Sequence, residues 1–211
     1  MLRRSLLSVP LLWSLAGFCV AEGGKQILVA YFTWYENTFR DKIKPSDIDQ
    51  TSGASLQAPG QVTYLARWIG QTAGAPVLPI KVVNPYPTNF DECLDQAVEE
   101  KTKRFRPELR PGIIFPEFDL LFLGFPNWSY TLPMAVCSFL ENRNTVGKMI
   151  APYCVHGTGG FARTISELRR SAPKAHVLRP FGCEREDVEN SRKAVEDWAG
   201  KILSQFRKGL S

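Results

Sequence analysis

Short, continuously apolar runs along the chain alternate with segments whose apolar residues recur at helical spacing. Lys25-Gln26-Ile27-Leu28-Val29-Ala30-Tyr31-Phe32 is the first such run, rich in branched and aromatic residues, and it reads as a strand buried on both faces. Ala75 to Ile80, Asp119 to Gly124, Lys148 to Cys154 and Ala175 to Leu178 read the same way, giving five strands. Amphipathic patterns with charged outer faces predict helices at Gln61 to Thr72, Asp91 to Lys103, Pro133 to Glu141, Phe161 to Arg170 and Val188 to Phe206. Strands without alternation, separated by helices, imply a doubly wound α/β domain with a parallel sheet covered on both faces. Such sheets bind ligands at the carboxyl ends of their strands, near the point where the winding reverses. The loops after strands one, three and four are therefore the place to look.

The first 21 residues stand outside this alternation. Met1-Leu2-Arg3-Arg4 is a short basic start, Leu6 to Phe18 is apolar, and Cys19-Val20-Ala21 offers small residues where a signal peptidase cuts. Residues 1–21 are thus expected to be a cleavable export signal, leaving a domain at 22–211 in the periplasm or outside the cell. The apolar run is shorter than the ~20 residues of a membrane span and is interrupted by Pro10 and Ser14, so no stable span is expected after cleavage. Arg3-Arg4-Ser5-Leu6-Leu7 also resembles a twin-arginine signal, a route taken by proteins already folded around a cofactor.

Composition narrows the function classes. With 211 residues, 44% apolar and 22% charged, the chain has material for a core, which excludes fibrous and disordered classes. The net charge of +5 comes with no Lys/Arg run long enough to follow a nucleic-acid backbone, so no nucleic-acid partner is expected. Cys93, Cys137, Cys154 and Cys183 show no zinc-site spacing. Export would permit disulfides, but Cys137 and Cys154 lie in apolar segments and read as small core residues.

Three loops carry candidate chemistry. The first runs from Thr33-Trp34-Tyr35-Glu36-Asn37-Thr38 to about Gly60, and its end, Ala58-Pro59-Gly60-Gln61-Val62-Thr63, presents backbone N–H groups at a helix start. Such an end is either an ordinary helix cap or a place where an anion is held, with the Thr33 hydroxyl as a further donor. The second, Phe125-Pro126-Asn127-Trp128-Ser129-Tyr130-Thr131-Leu132-Pro133, sets two large aromatics between prolines, as rigid walls for a flat ligand or as a plug against a neighbouring loop. The third, Val155-His156-Gly157-Thr158-Gly159-Gly160-Phe161, has three glycines that let backbone N–H groups approach a ligand, and His156 either braces the loop or takes part in chemistry.

Val29-Ala30-Tyr31-Phe32-Thr33-Trp34, Phe122-Leu123-Gly124-Phe125-Pro126-Asn127-Trp128 with Leu132-Pro133-Met134, and Cys154-Val155-His156-Gly157-Thr158-Gly159-Gly160 together resemble the flavodoxin family, in its branch with a split phosphate loop. Asn84-Pro85-Tyr86-Pro87 before the second helix fits the same pattern. The resemblance implies a flavodoxin-like sheet in the order 2-1-3-4-5 and FMN across the carboxyl ends of its strands. It implies that Thr33, Gly60, Gln61 and Val62 hold the phosphate. Pro126, Asn127, Trp128, Ser129 and Tyr130 would then lie against the isoalloxazine ring, and His156, Gly157, Thr158, Gly159 and Gly160 near its pyrimidine edge.

Two departures from the family pattern bear on activity. Glu36-Asn37-Thr38 lacks the family's glycine and brings a carboxylate toward the phosphate, so the segment from Tyr35 to Pro59 is expected to loop outward. Flavodoxins that shuttle single electrons turn a flexible peptide, commonly at glycine, toward flavin N5; Asn127-Trp128-Ser129-Tyr130 has none, which favours two-electron chemistry. The function implied is an exported FMN-binding protein that transfers electrons or reduces a small molecule such as a quinone, with an unnamed redox partner or acceptor. The alternatives are a binding module that has lost flavin and a hydrolase using Ser129 and His156, the latter lacking a G-x-S-x-G elbow.

Overall fold

The computed structural model describes residues 25–48, 56–157 and 159–209; the expected export signal and Thr158 lie outside them. The expected alternation is present. Strands β1 (Ile27–Tyr31), β2 (Val77–Pro79), β3 (Leu120–Pro126), β4 (Met149–His156), β5 (His176–Val177) and β6 (Phe181–Glu184) are interleaved with helices α1 (Gln61–Ala73), α2 (Phe90–Lys103), α3 (Met134–Glu141), α4 (Thr164–Ser171) and α5 (Arg192–Lys208). The sheet is parallel, in the order β2-β1-β3-β4-β5, with β6 also pairing with β4.

The absence of alternation in the sequence has a direct cause: both faces of the sheet are core. Leu28, Ala30, Leu121, Leu123, Phe125, Ile150 and Cys154 belong to one buried layer, which includes residues of α3 and α4. Val29, Tyr31, Leu120, Phe122, Ala151, Tyr153 and Val155 belong to the other, closed by α1 and α5. The register pairs Gly124 with Tyr153, and the tyrosine ring lies across the glycine, where a Cβ would meet it at 2.2 Å. Cys93, Cys137, Cys154 and Cys183 are buried and free, as the apolar segments around Cys137 and Cys154 led us to expect for those two.

The sheet edge departs from the sequence reading. The expected fifth strand shrinks to the two residues of β5, which pair with Met149 and Ile150, and a further strand that the sequence reading lacked, β6, pairs with Tyr153 to His156. Pro180 has no N–H to give the ladder, and the Arg179 carbonyl accepts a hydrogen bond from Trp198 Nε1 at 3.0 Å, so the chain leaves the sheet between them. A 3-10 helix, Arg185–Asn190, occupies the expected start of the last helix, and α5 begins after it. Among the described residues no helix is long and apolar enough to cross a membrane.

Candidate functional site

The carboxyl ends of β1, β3 and β4 open onto a cleft of about 380 Å³. Trp34 and Gln61 face it from the β1 side, and Pro126, Asn127, Trp128, Ser129 and Tyr130 from the loop after β3. His156, Gly157 and Gly159 line it after β4, while α2 contributes Phe90, Cys93, Leu94 and Ala97.

The loop after β1 folds otherwise than expected. Asn37 is buried; its Nδ2 donates to the Thr33 and Ile80 carbonyls at 2.8 and 3.0 Å, and its Oδ1 accepts from Val82 N–H at 2.8 Å. The Thr38 hydroxyl donates to the Tyr86 carbonyl at 2.7 Å. Tyr35 to Thr38 therefore turns inward and is stitched to the chain beyond β2; the exposed stretch begins at Phe39. The cause is the amide of Asn37, which satisfies three buried backbone groups at once. Glu36 is neutralised by Lys81 at 2.9 Å and Arg40 at 3.0 Å, so its charge does not oppose an anion as strongly as the sequence implies.

Of the residues expected at the phosphate, Gln61 alone lines the cleft. The Thr33 hydroxyl accepts a hydrogen bond from Glu36 N–H at 3.0 Å. Gly60, at φ 86°, packs so that a Cβ there would be 3.3 Å from the Thr33 side chain. Thr33 and Val62 are buried, and α1 starts with no side chain capping it. The Thr63 N–H bonds to the Gly60 carbonyl at 3.0 Å, and the Gln61 and Val62 N–H groups, with no hydrogen bond among the described residues, are left for another acceptor.

The loop after β3 is a tight turn. Trp128 and Thr131 exchange two backbone hydrogen bonds, and Ser129 and Tyr130 between them have φ 47° and 62°. Positive φ at both central residues marks a type I′ turn, which glycine would adopt without strain. The lack of glycine therefore does not keep this backbone out of the left-handed region, contrary to the sequence expectation. Lys101 Nζ donates to the Ser129 carbonyl at 2.9 Å and holds the central peptide in place.

Trp128 presents its ring against the rings of Tyr86 (5.0 Å), Phe32 (5.2 Å) and Trp34 (6.4 Å), all near perpendicular. It is a wall with three supports. Asn127 Nδ2 donates to the Gly160 carbonyl at 2.6 Å, tying the second loop to the third. Tyr130, 66% exposed, covers Gly159, where a Cβ would come within 3.2 Å of its ring. Gly160 has φ 53°. The His156 Nδ1 lies 2.7 Å from the Gly157 carbonyl, so this nitrogen carries the proton, and no hydrogen bond joins His156 to Ser129 among the described residues. That arrangement does not activate a serine nucleophile.

Two cleft groups have no partner. Asn127 Oδ1 and Ser129 Oγ are buried without a hydrogen bond among the described residues. Such orphans cost free energy unless a ligand satisfies them. Sequence reasoning missed α2 as a wall, although Phe90, Cys93, Leu94 and Ala97 share one helical face; it also missed Arg185, which carries no local signal.

Behind Trp128, the Tyr86 hydroxyl and Gln96 Nε2 each donate to the buried Glu100 carboxylate at 3.0 Å. Burial pushes the Glu100 carboxyl above its ordinary value of 4.5. The folded protein then holds this proton more tightly than the unfolded chain, so the contribution to stability is full below 4.5 and falls as pH rises through the folded value. In Glu100→Gln that fall is expected to disappear, leaving the variant more stable relative to wild type at neutral than at acid pH. Melting temperatures measured across pH check this, and parallel profiles would contradict it. Burial likewise raises the Cys93 thiol, which makes it a poor nucleophile despite lining the cleft.

The flavodoxin family pattern matches residues 52–202. A protein of Bacteroides uniformis ascribed to the flavoproteins is similar in fold, with a TM-score of 0.62 at 19% identity over 83% of this chain and 97% of that one. A Bacteroides eggerthii protein so ascribed gives 0.56 at 18% identity, over 82% and 98%. A flavoprotein of Lactobacillus acidophilus in complex with FMN gives 0.51 at 15%, over 79% and 98%. No curated protein matches the sequence. On the family match and the sheet order together, the chain belongs to the flavodoxin family.

Proposed function

We propose that this is an exported FMN-binding protein whose flavin transfers electrons or reduces a small molecule such as a quinone. The observation that carries the reading is the pair of buried, unpartnered polar atoms, Asn127 Oδ1 and Ser129 Oγ, beside the propped Trp128 ring. A flavin ring offers a flat apolar face to such a wall and a polar edge with an N–H donor to such an acceptor, so the residues present fit the group. FMN, when bound, supplies the redox chemistry. Trp128 and the glycines after β4 exclude water from its surroundings, Asn127 orients it, and the uncapped start of α1 offers N–H donors to its phosphate. Export rests on the basic start, the apolar run and the small residues before position 22.

The second reading, a binding module without flavin, is favoured by the Thr33 hydroxyl, which already accepts from Glu36 N–H. The test is an absorption spectrum of residues 22–211 purified without added cofactor, then titrated with FMN. Saturable binding with perturbed flavin bands is the expected result. A protein that stays colourless and does not perturb added FMN supports the second reading.

A further inference from the structure

The cleft is polar at one end and apolar at the other. Phe90, Leu94 and Ala97 of α2 make the apolar end. At the opposite end the Arg185 guanidinium lies over Gly157, with Cζ 3.5 Å from where a Cβ of that glycine would stand. Its Nε is held by Glu186 at 2.7 Å, and Gln61 Nε2 donates to the Arg185 carbonyl at 2.9 Å, so the residue is anchored on both sides. No hydrogen bond of Nη1 or Nη2 is found among the described residues, and the side chain lines the cleft.

Accepting the FMN reading above, on which this step rests, a flavin has the same asymmetry: a dimethylated carbocycle at one end and a pyrimidine with carbonyl oxygens at the other. Matching polarity sets the pyrimidine edge toward Arg185 and leaves the phosphate to the N-terminus of α1. The oxidised ring is neutral. Two electrons from an external reductant and one proton from solvent give the reduced ring a single negative charge, carried on its pyrimidine portion. A guanidinium there interacts with the reduced form more strongly than with the oxidised one, in a partly desolvated site where charge counts for more. We infer that Arg185 is a positioning and charge-compensating residue for the reduced flavin: it selects the anionic reduced ring over the neutral oxidised ring and so raises the two-electron potential.

The experiment compares wild type, Arg185→Gln and Arg185→Lys. Affinities for FMN and riboflavin are measured in the oxidised state, and the midpoint potential of bound FMN is measured by dithionite titration against reference dyes. A charge-assisted hydrogen bond predicts that Arg185→Gln binds oxidised FMN almost unchanged but loses about tenfold to a hundredfold in affinity for reduced FMN. For a two-electron couple each tenfold is ~30 mV, so the potential falls by roughly 30 to 60 mV. Arg185→Lys, which keeps the charge, restores most of the loss. A residue that only braced the loop would alter both oxidation states alike and would not be rescued by lysine. Unchanged potentials overturn the inference, as does a loss confined to FMN with riboflavin unaffected, which would place the guanidinium on the phosphate. A wild-type protein that binds no flavin overturns the functional reading, and this inference with it; flavin binding with potentials insensitive to Arg185 overturns the inference alone.

Discussion

Replacing Asn37 by alanine is expected to cost about 3 kcal/mol or more, because three buried backbone groups lose their partner together. The Thr33 and Ile80 carbonyls and the Val82 N–H each bond to the Asn37 amide at 2.8 to 3.0 Å, and Asn37 is buried away from water that would replace it. Asn37→Asp is a sharper probe than alanine. The carboxylate still accepts from Val82 N–H, but its second oxygen faces two carbonyl oxygens, and repulsion replaces attraction. Both variants should lower the urea midpoint with little change in slope, as expected of a weakened native state. A loss under 1 kcal/mol in both would mean that the β1 loop is not held by this amide. The effect also reaches the cleft, because Trp34, which supports Trp128, lies between Thr33 and Asn37.

Gly124→Ala is the second large effect. A Cβ at this position falls 2.2 Å from two ring carbons of Tyr153 and 2.5 Å from its hydroxyl oxygen. The ring has nowhere to go: it is fully buried, and Trp198 packs near it at 6.4 Å. Overpacking on this scale costs about 3 kcal/mol. A double-mutant cycle isolates the cause. In a Tyr153→Leu background the same glycine substitution should cost far less, because the atoms it meets are gone, giving a large coupling between the two positions. Additive effects would show that strand geometry at Gly124, and not the ring, sets the requirement for glycine. The Tyr153 hydroxyl is buried without a hydrogen bond among the described residues, so Tyr153→Leu removes no hydrogen bond and the cycle reads the steric contact.

How much of this was legible follows from the range over which each feature is encoded. The central strands were, because residues packed between two helical layers must be apolar at every position, and β1, β3 and β4 are written that way. The candidate loops were legible as compositions, Trp128 and Tyr130 between prolines and Gly157, Gly159 and Gly160 in a cluster, since ligand-facing backbone needs those residue types locally. The inward course of Tyr35 to Thr38 was not. It depends on Ile80 and Val82, more than forty positions away, presenting backbone groups to one amide. The same holds for the turn at Ser129 and Tyr130, where local preference argues against positive φ and is overruled by the pairing of Trp128 with Thr131 and by Lys101 from α2.

Periodicity and composition within short windows encode the layered α/β architecture, the burial of Cys137 and Cys154, and which three loops gather at one end of the sheet. The separate edge strand β6 after Arg179 and Pro180, the α2 wall of the cleft and the place of Arg185 at its polar end arise on folding. Those outcomes arise from groups distant in sequence satisfying one another's hydrogen bonds and filling one another's space, and no local pattern records such a partnership.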